Sequence, residues 1–301
     1  MRTAVLDIGG TAVKGGIWDG ERLSEAGEWE TRADRGADDL MRRAVCILED
    51  FGSFDAIGIS TAGQVDPNRG NIYYANDNIP GYTRMPVRDI MEERFGVPAA
   101  VENDVNCAAL GELHFGAARG EHSFLCLTYG TGVGGAIITD GRLWTGDHYS
   151  AGSFGGIMTH PEKSRTGEEP GGCYEKYAST TALVRRVHKV DESLTDGRKV
   201  FSAAARPEIR KEIDEWIDEI VYGLVTLIYC FDPPLILLGG GVMSQDDVIN
   251  EIRRKTGERL PKALSGCRME KTALGNQAGM MGAAYLATER KKNENHQSER
   301  L

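Results

Sequence analysis

One repeat constrains this 301-residue chain more than any other feature. Leu6-Asp7-Ile8-Gly9-Gly10-Thr11 leads on to Ile17-Trp18-Asp19-Gly20, and Leu127-Thr128-Tyr129-Gly130-Thr131-Gly132 leads on to Ile138-Thr139-Asp140-Gly141. The two copies stand 121 residues apart throughout, and Leu, Gly, Ile, Asp and Gly recur at matched places. Each copy reads as an apolar run, a glycine turn, a returning apolar run and an Asp-Gly turn. That order describes consecutive antiparallel strands. Two copies of one strand-turn-strand unit predict two related lobes, expected to face each other across a cleft. Chance likeness between two glycine-rich hairpins is the competing explanation.

The intervening sequence alternates strand and helix patterns. Residues 3–6, 56–60, 99–102, 124–128 and 235–238 are short apolar runs that read as buried strands. Helical spacing covers residues 38–51, 86–95, 105–115 and 208–231. In the last of these Ile209, Ile213, Ile217, Ile220, Leu224 and Leu227 share one face, and Pro233-Pro234 ends it. Further helices are expected from about Asp246 and over residues 277–288. Residues 160–172 read as a polar loop, and the tail from Arg290 as disordered. The pattern is that of an α/β protein.

Bulk properties exclude several function classes. A hydrophobic fraction of 41% allows a large core, and a net charge of -10 argues against a nucleic-acid partner. No apolar stretch reaches membrane-spanning length and no signal peptide is evident, so a soluble, cytoplasmic protein without a membrane partner is expected. The six cysteines, at 46, 107, 126, 173, 230 and 267, are scattered without a CxxC pair and read as buried free thiols.

The glycine loops carry the chemistry. Gly130-x-Gly132-x-x-Gly135 fits the dinucleotide-binding fingerprint as a string, but that fingerprint needs a helix after its glycines. Here residues 136–141 read as a strand and a turn. The remaining option is a hairpin whose backbone N–H groups cradle phosphate oxygens. On the first hairpin Asp7 leaves a strand end where a carboxylate could hold Mg²⁺ through water. Lys14, on the returning strand, is either part of that site or a surface charge. Glu102-Asn103-Asp104 lies between a strand and a helix. Asn103 or Asp104 there is either a helix N-cap or, for Asp104, a base that receives a hydroxyl proton during phosphoryl transfer.

Taken together, Asp7-Ile8-Gly9-Gly10-Thr11-x-x-Lys14, Thr61-Ala62-Gly63-x-Val65-Asp66, Glu102-Asn103-Asp104-x-Asn106-Cys107-Ala108 and Tyr129-Gly130-Thr131-Gly132-x-Gly134-Gly135 resemble the ROK family of sugar kinases and repressors. Asn78-Ile79-Pro80-Gly81, Gly239-Gly240-Gly241 and Asn276-Gln277-Ala278-Gly279 extend the likeness over nearly the whole chain. The resemblance implies a two-domain actin-like (ribonuclease H-like, ASKHA) α/β fold with ATP and sugar in the interdomain cleft. A small domain would span residues 1–112 with a C-terminal helix at about 276–290, and a large domain residues 113–275. Residues 291–301 would form the disordered tail. By the same resemblance Asp104 is the catalytic base towards a sugar hydroxyl, usually O6. Asn103, Gly63, Asn78 and Glu175 lie on the sugar side. Gly9, Gly10, Thr11, Gly130, Thr131 and Gly132 take the phosphates, and Gly239, Gly240 and Gly241 lie near the adenosine. ATP and Mg²⁺ are the implied cofactors, and family analogy alone suggests a homodimer.

The likeness breaks at one place. Kinases of this family usually carry Gly-Glu-x-Gly-His where this chain has Gly152-Ser153-Phe154-Gly155-Gly156. Ser153 and Gly156 therefore replace a glutamate and a histidine that help hold the sugar, and the histidine is also a zinc ligand. The accompanying cysteine cluster is reduced to Cys173, and one thiolate does not make a closed zinc site, so no structural zinc is expected. His160 nearby reads as a solvated loop residue. The smaller residues should widen the sugar site towards glucose bearing a substituent, as in β-glucosides, or an N-acyl amino sugar. The alternatives are a sugar-binding ROK protein with weak or lost kinase activity, an actin-like ATPase, or a repressor. The repressor is disfavoured because the phosphate hairpin begins within ten residues of Met1, leaving no room for a DNA-binding helix pair.

Overall fold

Thr3–Ile8 (β1) is buried at nearly every position and becomes the middle of a five-stranded sheet. Ala12–Trp18 (β2) and Leu23–Glu30 (β3) continue from it antiparallel. After the helix Ala37–Glu49 (α1), Ala56–Thr61 (β4) joins the other side of β1 in parallel. A side hairpin follows, Gln64–Asp66 (β5) with Asn71–Tyr74 (β6), and then the helix Val87–Phe95 (α2). Ala99–Asn103 (β7) completes the sheet beside β4, and Asp104–Phe115 (α3) leaves it directly. Strand alternation sorts the sheet's faces. Ala4, Leu6 and Ile8 pack with Leu40, Ala44 and Leu48 of α1, whereas Val5 lies with Met280 and Ala284 from the end of the chain.

A second sheet repeats this plan. Phe124–Tyr129 (β8), Val133–Thr139 (β9) and Arg142–Leu143 (β10) run antiparallel. Four helices follow: Glu175–Ala178 (α4), Thr180–His188 (α5), Gly197–Ser202 (α6) and the long Pro207–Phe231 (α7). Leu235–Gly239 (β11), the helix Asp246–Arg259 (α8) and Arg268–Lys271 (β12) add the parallel half. Ile213, Trp216, Ile217, Ile220 and Leu224 of α7 are buried against Leu125, Leu127, Ile236 and Leu238 of this sheet. The last described element is the helix Ala278–Ser298 (α9).

The strand orders are β3-β2-β1-β4-β7 and β10-β9-β8-β11-β12, so the likeness of the two hairpins extends to both whole sheets. β1 and β2 match β8 and β9 at the same offset of 121 residues end to end. One detail differs. Ile8 pairs with Val13 around Gly9, Gly10, Thr11 and Ala12, whereas Tyr129 pairs with Val133 around three residues only. The second loop is therefore tighter by one residue.

The computed structural model describes residues 1–164 and 171–298. It separates into one unit of Met1–Arg119, Thr145–Ser150 and Asn276–Leu301, and another of Gly120–Trp144 and Ala151–Gly275. This departs from the expected boundary after residue 112. Helix α3 runs to Phe115, and the backbone N–H groups of Ala117 and Ala118 are still held by Glu112, at 2.7 and 3.1 Å. Residues 145–150 return to the first unit, where the Tyr149 ring meets Tyr73 at 5.3 Å.

Several expectations need correction. The tail is not disordered from residue 291, since α9 continues to Ser298. Thr288 Oγ1 donates to Ala284 O, Lys292 pairs with Glu289, and Arg290 pairs with Glu92, so the polar stretch is a helix laced with charge pairs. The last residues of the tail lie outside those described. The cysteines are all free, but only Cys107, Cys126 and Cys173 are buried, while Cys46 and Cys230 sit exposed on helices. Among the described residues no helix is long and apolar enough to cross a membrane.

Candidate active site

In the first unit the strand-to-helix junction of β7 and α3 sets the geometry. Asn103 is the N-cap: its Oδ1 accepts from the N–H groups of Val105 (3.0 Å) and Asn106 (3.2 Å). Its Nδ2 donates to Gly63 O at 2.9 Å and to Asp104 Oδ1 at 2.8 Å. Capping therefore falls to Asn103, and Asp104 becomes the first helical residue. Val105 N also donates to Asp104 Oδ1, at 2.9 Å. Both bonds engage the same carboxylate oxygen. Burial, reinforced by the negative charge of Asp7, raises the Asp104 carboxyl to about 6, against the pull of its N–H donors.

Asp7, at the end of β1, accepts Ser60 Oγ at 2.5 Å. Burial raises its pKa, while Ser60 and Lys14 oppose the rise. Lys14 stands directly opposite Asp7 in the β1–β2 register and is half-buried, so it belongs to the field of this carboxylate and is not a remote surface charge. The first glycine turn is braced by the residue that follows β3: Thr31 Oγ1 donates to Gly9 O at 2.7 Å, and Thr31 N to Thr11 O at 2.9 Å. Gly10 and Thr11 at its tip are exposed. Gly63 takes φ +95°, where a Cβ would lie 3.1 Å from Tyr74 O, so a side chain there would disturb the carbonyl that holds Asn103. Asn78 lies in an exposed turn, where its N–H donates to Asn76 Oδ1 at 3.3 Å, and among the described residues no hydrogen bond joins it to Asn103 or Asp104.

Glu102 is a residue that sequence reasoning did not single out. It is 2% exposed, and one oxygen, Oε1, accepts both Asn103 N (2.8 Å) and Asn106 Nδ2 (3.0 Å). Burial pushes its carboxyl up to about 7 from 4.5. The unfolded chain thus releases this proton at lower pH than the folded chain, so Glu102 makes stability decline as pH rises through that window. Glu102→Gln is expected to remove a pH-dependent loss of roughly 3 kcal/mol between about pH 4.5 and 8. Urea unfolding of both proteins at pH 5 and pH 8 reads this directly. Equal pH dependence in the two would show that Glu102 is ionised throughout.

In the second unit, the β8–β9 turn is closed by Gly130 N donating to Gly132 O at 3.0 Å. The start of α5 holds it from behind, with Thr180 Oγ1 donating to Tyr129 O and Thr180 N to Gly130 O, each at 3.0 Å. Gly130 and Thr131 stay exposed. Gly239 pairs with Thr128, and a Cβ on Gly240 would lie 2.2 Å from Tyr129 O. Gly239 and Gly240, expected near the adenosine, therefore lie against the base of the β8–β9 turn, with Gly241 open beyond them. Glu175 reaches the same turn: its Oε2 is 2.5 Å from where a Cβ on Gly132 would be, and 3.1 Å from that of Gly155. Ser153 and Gly156 are exposed, and a Cβ on Gly156 would meet nothing within 4 Å.

Among the described residues no group of three His, Cys, Asp or Glu is placed to hold a metal. His160 is not the solvated residue expected. Its Nε2 lies 2.7 Å from Glu219 Oε2 and its ring stacks on Tyr177 at 3.9 Å. Burial lowers its pKa, but Glu219 and Glu162 raise it more, and the net shift is upward.

Two glycine turns, one per repeat, and a half-buried Asn103 cap followed by Asp104 match a known arrangement. The ROK family model covers residues 3–290. The chain belongs to the ROK family. It is 34% identical to a glucokinase of Streptomyces coelicolor, over 95% of this chain and 98% of that enzyme. It is 32% identical to a β-glucoside kinase of Listeria innocua, over 95% of this chain and 97% of that one. Among solved structures, a ROK glucokinase from Streptomyces griseus in complex with glucose and AMPPNP superposes with a TM-score of 0.82. That match has 31% identity and covers 96% of this chain and all of the other. The fold is accordingly the actin-like one expected, with one ribonuclease H-like sheet in each repeat.

Proposed function

We propose that this protein is an ATP-dependent sugar kinase that phosphorylates a hydroxyl, O6 of glucose or of a glucose bearing a substituent, with Asp104 as general base. The observation that carries the proposal is the Asp104 carboxyl, raised to about 6 yet fixed by two donors on one oxygen. A base with a pKa just below neutral is ionised at working pH and still basic enough to take a proton. Asp104 takes the hydroxyl proton as the sugar oxygen bonds to the γ-phosphorus. The bond from that phosphorus to the β–γ bridging oxygen breaks, and ADP carries away the electron pair.

The glycine turns fit the phosphate role by elimination. A Cβ at Gly10 or Gly130 would meet no atom within 4 Å, and neither has a positive φ. Neither packing nor backbone conformation demands glycine there. Close approach of a ligand to bare N–H groups does. The donor set also fits a nucleotide-borne Mg²⁺, which keeps several waters and one or two carboxylates rather than a protein cage. Asp7 would hold it through water, and the ion would neutralise phosphate charge.

The β-glucoside kinase relative, together with the small residues Ser153 and Gly156, supports a substituted glucose or an N-acyl amino sugar, whereas the glucokinase relative supports free glucose. Coupled ADP release with Mg-ATP across glucose, cellobiose and N-acetylmannosamine tests this. Turnover of cellobiose or N-acetylmannosamine above that of glucose is the expected result. Glucose turnover equal to or above both removes the substituted-sugar reading, and no turnover of any sugar removes the kinase reading.

A further inference from the structure

The side hairpin β5–β6 borders a pocket of about 680 Å³ within the first unit, lined among others by Gln64, Asn71, Tyr73, Tyr74, Arg84 and Tyr149. This is the size of a small-molecule site. Its composition is informative. Tyr73 and Tyr74 are 42% and 55% exposed, and the Tyr73 and Tyr149 rings meet edge to face at 5.3 Å. Apolar rings left in water beside one another mark a surface that something else covers. Asp66 and Asp147 balance Arg69 and Arg84 in the lining, so the pocket does not select an anion. The backbone is strained here too, with Tyr149 at φ 56° and Arg84 at φ 69°, conformations that cluster at ligand sites.

Aromatic faces and a neutral balance of planar polar groups describe a site for an uncharged polyol with apolar faces, that is, a sugar ring. Its position says which ring. Gln64 in the lining follows Gly63 in the chain, and Gly63 O is the atom that fixes Asn103 beside Asp104. A Cβ on Gly63 would touch Tyr74 O and Ala75 Cβ, so the hairpin and the Asn103–Asp104 corner are contiguous.

We infer that this pocket is a second-ring subsite, in which Tyr73 and Tyr149 pack against the non-reacting sugar of a disaccharide acceptor. The inference rests on the kinase reading for the reacting ring, but the pocket can be tested without it. Tyr73→Ala and Tyr149→Ala alter exposed or half-buried side chains, and Tyr73→Phe keeps the ring as a control. The first measurement is kcat/KM of each protein for glucose, cellobiose and gentiobiose by ADP release. Both alanine variants are expected to lose about tenfold on the disaccharides with glucose unchanged, while Tyr73→Phe stays near wild type. The second is calorimetric titration of cellobiose into the full chain without nucleotide, where the same variants are expected to weaken binding about tenfold. Equal loss on glucose and disaccharides, no loss on either, or wild-type turnover of glucose with no disaccharide bound overturns the subsite. If no sugar is turned over, the kinase reading fails, and the titration alone decides the pocket: binding lost in the tyrosine variants upholds it, and absent or unaltered binding overturns it.

Discussion

Asp104→Asn is expected to lower kcat for sugar-dependent ADP release by about 10²–10⁴-fold, with a much smaller change in KM for the sugar. The substitution keeps the shape of the side chain. An amide oxygen can still accept from Asn103 Nδ2 and Val105 N, which hold the carboxylate in the native protein. The site's geometry, and with it sugar binding, should survive. What is removed is the ability to take a proton. Phosphoryl transfer leans heavily on positioning, which argues for the lower part of that range and against complete loss. The pH dependence gives a second signature. The base works only when ionised, so wild-type kcat/KM should fall about tenfold per unit below pH 6 and level off above it. The Asp104 carboxyl, raised to about 6 by burial and by the charge of Asp7, places that limb well above the ordinary aspartate range. In Asp104→Asn the limb should vanish. A variant that kept a tenth or more of wild-type kcat, or the same acid limb, would move the base elsewhere.

The sequence made this corner legible because it is local. An N-cap, the residue after it and a strand end are adjacent positions, and spacing alone placed them at a strand-to-helix junction. The repeat was legible for the same reason: its hairpins are short and carry their own turn residues. What escaped was nonlocal. β3 is mostly exposed, with charged and small residues at Ser24, Glu25, Ala26 and Gly27, and so lacks the apolar alternation that marks a strand. The β5–β6 hairpin has only three and four residues, too short for any periodic signal, yet it builds the pocket beside Gly63. Glu102 was visible as a letter in a motif, but that one of its oxygens fixes both Asn103 and Asn106 depends on its burial, which no spacing reveals. The setting of His160 is nonlocal too: its partner Glu219 lies 59 residues away on α7. The tail was misread because charge at helical spacing resembles charge in a solvated coil until the partner Glu92 is known.

Gly282→Ala is expected to destabilise the protein by roughly 3 kcal/mol or more, even though alanine is the better helix former by about 1 kcal/mol. Two terms of opposite sign compete, and their sizes decide. A Cβ at Gly282 of α9 would lie 1.8 Å from Cys107 O on α3, far inside van der Waals contact. The obstacle is backbone, so no side chain can swing aside, and the two helices must separate. The neighbouring crossings leave no slack for that. A Cβ at Gly111 would sit 2.4 Å from Ala278 O, and one at Gly58 of β4 would sit 2.3 Å from Ala283 O. Gly257 on α8 provides the control, since a Cβ there meets nothing within 4 Å and the position is exposed. Gly257→Ala should therefore stabilise by up to about 1 kcal/mol, so the same substitution changes sign with its surroundings. Urea unfolding of the three proteins measures both effects, and a Gly282→Ala protein as stable as wild type would mean that the two helices do not meet backbone to backbone. The consequence reaches function, because α3 begins at Asp104, and a Cβ at Gly279 of α9 would lie 2.9 Å from Ser60 Oγ and 3.2 Å from Asp7 Oδ1. Prising α9 from α3 moves the supports of both carboxylates, so Gly282→Ala should lower kcat even under conditions where the protein remains folded. Gly257→Ala, remote from that contact, should leave kcat unchanged.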